Sequence, residues 1–179
     1  MKRLRLIHLS ERNHREKVTV KKILTPIVLF AAMMPAALAS PSPWDQPTQP
    51  LEHPVTMTVY RSPTCSCCGR WVSHLKKHGF TINVVESDSV DSVKQALGVP
   101  KSLQTCHTGV VEGYLVEGHV PAGEIKKMLL TKPKGAGLVV PGMPDGSPGM
   151  EKGKTRGCFT VYLFDKQGYG TPFSEYSGK

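Results

Sequence analysis

The stretch Val55–Gly79, VTMTVYRSPTCSCCGRWVSHLKKHG, decides the fold of this chain. Its first six residues, Val55-Thr-Met-Thr-Val-Tyr60, alternate apolar and threonine side chains and are mostly β-branched or aromatic, which is the pattern of a strand. Ser62-Pro63-Thr64 interrupts that period. From Cys67 to His78 the apolar positions become Trp71, Val72 and Leu75, a helical spacing, and Gly79 supplies the stop. A strand therefore runs into a helix, and three cysteines, Cys65, Cys67 and Cys68, stand at the junction.

The pattern continues downstream. Phe80 to Val85 reads as a second strand, and Ser87 and Asp88 can cap a short helix over Val90–Leu97, stopped by Gly98 and Pro100. Thr108–Val111 and Tyr114–Val116, around Glu112-Gly113, predict a hairpin. Pro121 suits the first turn of a helix to Leu130, with Ile125, Met128 and Leu129 on one stripe. The order β-α-β-α-β-β-α predicts an α/β domain of thioredoxin-like fold. Lys132 to Gly157 is so rich in glycine and proline that it predicts a long loop, either functional or disordered. Phe159–Phe164 then adds one C-terminal strand, turned at Lys166-Gln167-Gly168, before a tail ending in Phe173 and Tyr176.

Upstream of the domain the reading changes. Lys21 and Lys22 precede an apolar run from Ile23 to Leu38 that closes on Ala37-Leu38-Ala39, the pattern of a secretory signal peptide cleaved before Ser40. The run is short for a membrane span and contains Pro26 and Pro35. The expected organisation is a signal peptide over 1–39, a proline-rich linker over 40–54 and a domain over 55–179. Of the 23 Lys/Arg and 14 Asp/Glu, eight and two lie in residues 1–39, leaving 15 and 12 and a net charge of only +3. That balance gives no basic stripe and argues against nucleic-acid binding. Once the signal is removed, no segment is left to hold the protein in a membrane.

All five cysteines fall after residue 39. An odd number in an oxidising compartment leaves at least one thiol unpaired, and three within four positions are too crowded to be staples. Cys65 and Cys68 form a C-x-x-C pair at a helix N-terminus, where the free N–H groups and the dipole favour a thiolate. A thiolate serves both disulfide exchange and soft-metal binding. A dithiol oxidoreductase needs only two cysteines, so Cys67 leans the reading toward metal. Cys106-His107 precedes the third strand and, in a sheet of this order, one of the two faces the C-x-x-C motif. The alternatives are a Cys106–Cys158 disulfide and a solvated loop position for His107. His119 lies just before the third helix, in the string E-G-H-V-P-A. Met143 and Met150 sit among glycines and prolines without apolar periodicity, and thioether sulfur is a soft ligand suited to Cu(I). His53, His74 and His78 read as surface residues, although His74 and His78 share a helix face. Nothing in the sequence matches a Ser/His/Asp triad, a phosphate loop or paired acid–base carboxylates.

Three strings, VYRSPTCSCCGRWVSHLKKHGF, LGVPKSLQTCHTGVVEGYLVEGHVPAGEI and GLVVPGMPDGSPGME, resemble in order the periplasmic copper-resistance proteins of the CopG type. The resemblance spans Thr56 to Glu151. It implies a thioredoxin-like domain, a multinuclear copper cluster bridged by cysteines and a role in copper redox handling. Matched by motif, Cys65, Cys67, Cys68, Cys106, His119, Met143 and Met150 would be the metal ligands. Cys65 and Cys68 would be the redox pair, several Cu(I) ions the cofactor, and other periplasmic copper-handling proteins the partners. Two alternatives stay open: a thiol–disulfide oxidoreductase with Cys65 as nucleophile and Cys68 as resolving thiol, and a copper-delivery module without catalysis.

Overall fold

The computed structural model describes residues 42–178. The signal-peptide reading of 1–39 lies outside the described residues. Strand β1 (Val55–Arg61) runs into helix α1 (Ser66–Lys77), then β2 (Phe80–Glu86) and α2 (Val90–Ala96). A short 3₁₀ turn leads to β3 (His107–Val111), β4 (Tyr114–Glu117) and α3 (Ala122–Thr131). Strands β5 (Gly137–Val139), β6 (Cys158–Phe164) and β7 (Gly170–Ser177) complete one seven-stranded mixed sheet in the order β2-β1-β3-β4-β5-β6-β7. β1 and β2 are parallel, β3 is antiparallel to β1 and to β4, and β5 lies parallel to β4. Among the described residues no helix is long and apolar enough to cross a membrane.

The elements expected between residues 55 and 131 are present, each within about two residues of the expected ends. The C-terminal part differs. One added strand was expected, and the sheet gains three. β5 lies inside the glycine-rich segment, where three residues give no period to read. Its Gly137 is there because a Cβ would sit 1.8 Å from the Leu115 carbonyl oxygen on β4, too close for any side chain. β7 lies in the segment that reads as a tail, and Pro172 falls within it. The strand tolerates that proline at the sheet edge, with a register irregularity opposite Val161/Tyr162.

Met57, Val59, Trp71, Leu75, Val116, Ile125, Met128, Leu138 and Val161 form the centre of the core. The segment before β1 also contributes. Trp44 is buried, its Nε1 donates to the Gly146 carbonyl at 2.9 Å, and its ring meets those of Phe159 and Tyr176 at 5.9 and 5.1 Å. Arg156 lies 4.7 Å over the same ring. Trp44→Ala is expected to cost about 3–5 kcal/mol, the usual range for emptying a buried aromatic site. Urea unfolding measures it, and a loss under about 1 kcal/mol would mean that Trp44 is a surface ornament.

Candidate metal and thiol site

The site forms where β1, α1, β3 and the segment between β5 and β6 meet. Cys65 is the N-cap of α1: its Sγ accepts from the Cys68 N–H at 3.3 Å, filling one of the donors a helix start leaves open. Cys65 and Cys68 are joined as a disulfide, and Cys67, Cys106 and Cys158 are free. The Cys106–Cys158 pairing therefore does not form. Cys158 is exposed on β6, away from both ligand groups.

The sulfurs of Cys65, Cys67, Cys68 and Cys106 all lie within 4.8 Å of one another. Cys67 Sγ is 3.5 Å from Cys65 Sγ. Cys106 belongs to a second group of the same compactness, with His107 and His119. Its Sγ is 3.2 Å from His107 Nδ1 and 3.4 Å from His119 Nε2. One sulfur thus joins a four-sulfur group to a sulfur–imidazole group.

The histidines are prepared for ligation. His119 Nδ1 donates to the Pro148 carbonyl at 2.7 Å, which fixes the tautomer and leaves the Nε2 lone pair facing Cys106. Burial lowers the pKa of His119. Burial, then the neighbouring His119, takes His107 well below the usual histidine value. Both rings are therefore neutral at pH 7, the form that binds metal. His107 packs 4.2 Å from the Trp71 ring, and its Nε2 is buried with no hydrogen-bond partner among the described residues. Its other ring nitrogen, Nδ1, is the one that faces Cys106. Sequence reasoning left His107 unassigned. Its signal was adjacency to Cys106, but a residue on a strand with both faces covered gives no alternation to place it.

Burial, then the charge of Cys67, pushes the Cys106 thiol up to about 12. A metal at Cys106 therefore displaces a proton. Cys106 also lines an open cleft of about 280 Å³ with Ser62, Asp88 and Asp91, so the site is reachable from solvent.

The methionines are placed unequally. Gly149 has φ +85°, and a Cβ there would sit 2.8 Å from Trp71 N and 2.9 Å from the Cys67 carbonyl oxygen. Only glycine allows the segment to lie this close to the first turn of α1. Arg70 Nε holds it there by donating to the Gly149 carbonyl at 2.8 Å. Met150, half-buried, is the next residue. Met143 is 54 % exposed.

His74 and His78 are buried, not on the surface as expected. His74 Nε2 accepts from the Ala122 N–H at 3.0 Å, and His78 Nε2 donates to the Trp44 carbonyl at 2.8 Å. Both serve packing; burial, then the charge of His78, lowers His74 to about 3.

Two solved structures of copper resistance protein copG, Form 1 and Form 2, are similar to the chain. Each is 40 % identical, has a TM-score of 0.64, and matches over 70 % of this chain and 100 % of its own. Residues 103–150 match a family model described as a protein of unknown function, DUF411. That span contains Cys106, His107, His119, Met143 and Met150. No curated protein matches the chain.

Proposed function

Because the chain belongs to the CopG family of copper resistance proteins, we propose that it is an exported, periplasmic protein that binds several Cu(I) ions and sequesters copper or changes its oxidation state. The observation that carries this reading is the sharing of Cys106 between four clustered sulfurs and two neutral imidazoles. Thiolate and thioether select Cu(I), imidazole accepts copper in either state, and a bridging thiolate can hold two ions. On this reading Cys65, Cys67, Cys68, Cys106 and His119 are ligands, joined by His107. Met150, next in sequence to the Gly149 that packs against the Cys67 carbonyl, would complete the shell, and the exposed Met143 would capture copper from solvent. The element order of β1 to α3 and the strand order β2-β1-β3-β4 favour a thioredoxin-like domain, extended by three strands. Residues 1–39 act as the cleaved export signal.

The Cys65–Cys68 disulfide at the start of a helix favours a second reading, a thiol–disulfide oxidoreductase. One experiment separates the two. The reduced protein is loaded with Cu(I), desalted and assayed for copper by elemental analysis, and the same preparation is tested for reduction of insulin disulfides. We expect at least two copper ions per chain, about one for each ligand group. Met150→Leu keeps volume and apolarity and should lower the Cu(I) affinity by about tenfold or more, with Met143→Leu affecting loading rate instead. Less than one copper per chain together with insulin reduction would transfer the assignment to disulfide exchange.

A further inference from the structure

Beneath the site lies an ion pair with no contact to solvent. Lys94 on α2 and Glu117 at the end of β4 are both fully buried, with Lys94 Nζ 2.9 Å from Glu117 Oε2 and 3.1 Å from Oε1. The carboxylate does more than neutralise the lysine. Its Oε2 accepts from the Thr105 N–H at 3.0 Å and lies 3.1 Å from the Thr105 hydroxyl. Its Oε1 accepts from the Thr108 hydroxyl, which in turn accepts from Lys94 Nζ at 2.6 Å. Residues 105 and 108 bracket Cys106 and His107. The backbone of Glu117 also holds the Val140 N–H at 3.0 Å, at the start of the segment carrying Met143 and Met150, and His119 follows two residues later.

A buried ion pair is a poor source of stability, because the desolvation of two charges offsets their attraction, and well-packed apolar residues do as well. Its worth here is geometric. A carboxylate offers about four acceptor directions, and this one grips both ends of the Cys106-His107 turn at once. We infer that Glu117, with Lys94 as its counter-charge, is a positioning device that sets Cys106 and His107 against the cysteine cluster and His119. This inference rests on the copper reading of the site, but the clamp itself is testable without copper.

The test uses the full chain carrying Lys94→Met, Thr108→Val and Glu117→Leu together, which removes the buried charges and hydroxyl while keeping volume. If the clamp positions ligands, this variant unfolds cooperatively near the wild-type temperature. In the reduced, metal-free state its amides at 105–108 exchange hydrogen at least about tenfold faster. Cu(I) affinity, measured by competition with a chelator of known affinity, falls about 10–100-fold, the usual effect of losing an outer-shell support. Thr105→Val, which removes the hydroxyl's contacts to Glu117 and to the His107 carbonyl without uncovering a charge, shifts both readouts the same way by a smaller factor and serves if the triple variant does not fold. Unchanged exchange at 105–108 in a folded variant would overturn the clamp. Faster exchange with unchanged Cu(I) affinity would overturn its role toward the ligands. Failure of the wild-type protein itself to bind Cu(I) would instead sink the copper reading, leaving the exchange result to judge the clamp.

Discussion

Cys106→Ser is expected to leave the reduced protein folded and to cost it most of its copper. Cys106 is the one residue common to both ligand groups, so its loss reduces the four sulfurs to three and separates them from the imidazoles. Serine is close to isosteric and Cys106 is only partly buried, so the fold has little to lose. The hydroxyl oxygen is a hard donor that stays protonated, and Cu(I) prefers soft sulfur. Affinity should fall by more than about 100-fold, beyond the range typical of losing a mere outer-shell support. Cys158→Ser is the control, since that thiol is exposed and in neither group. Elemental analysis after desalting reads both. Full copper content in Cys106→Ser would show that the site lies elsewhere, and equal losses in the two variants would point to general thiol damage.

The strand-to-helix junction with its three cysteines was legible because everything that defines it is local. The period change from Tyr60 to Trp71, the break at Ser62-Pro63 and the thiols all fall within one short stretch. Cys106 and His119 were legible as candidates, but their meeting at 3.4 Å depends on the pairing of β3 with β4, which residue types alone do not fix. His74 and His78 show the limit most clearly. Their helical spacing is visible, yet what buries them comes from Trp44 and Ala122, 34 and 48 positions away in sequence. The Lys94–Glu117 pair was invisible for the same reason, since a lysine on a short polar helix reads as solvated until a sheet closes over it. β5 escaped because its constraint is the closeness of a neighbouring backbone and not a side-chain pattern.

Oxidised and reduced protein should differ sharply in copper capacity. With Cys65 and Cys68 joined, only Cys67 and Cys106 offer thiols to the four-sulfur group. Two electrons and two protons from a dithiol such as dithiothreitol convert the disulfide to two thiols, and the dithiol leaves as its own disulfide. The full ligand set then exists. The disulfide-bonded protein is expected to hold at most about half the Cu(I) of the reduced protein, because a disulfide sulfur has no thiolate to give. Cys67 Sγ, 3.5 Å from Cys65 Sγ, is placed to attack that disulfide, forming a Cys65–Cys67 disulfide, breaking Cys65–Cys68 and releasing Cys68 as the thiolate, so the external dithiol can reduce the cluster through either disulfide. The reduced site should also respond to pH in a set direction. The Cys106 thiol, raised to about 12 by burial and then by Cys67, is protonated at neutrality, so ligation of Cu(I) at Cys106 releases one proton. Affinity then rises with pH, by about tenfold per unit for each thiol deprotonated on binding. Chelator competition from pH 6 to 8, on protein kept reduced or disulfide-bonded, measures both effects. Equal loading of the two forms with no pH slope would mean that copper enters without these thiolates, and the cysteine cluster would then be left to disulfide exchange.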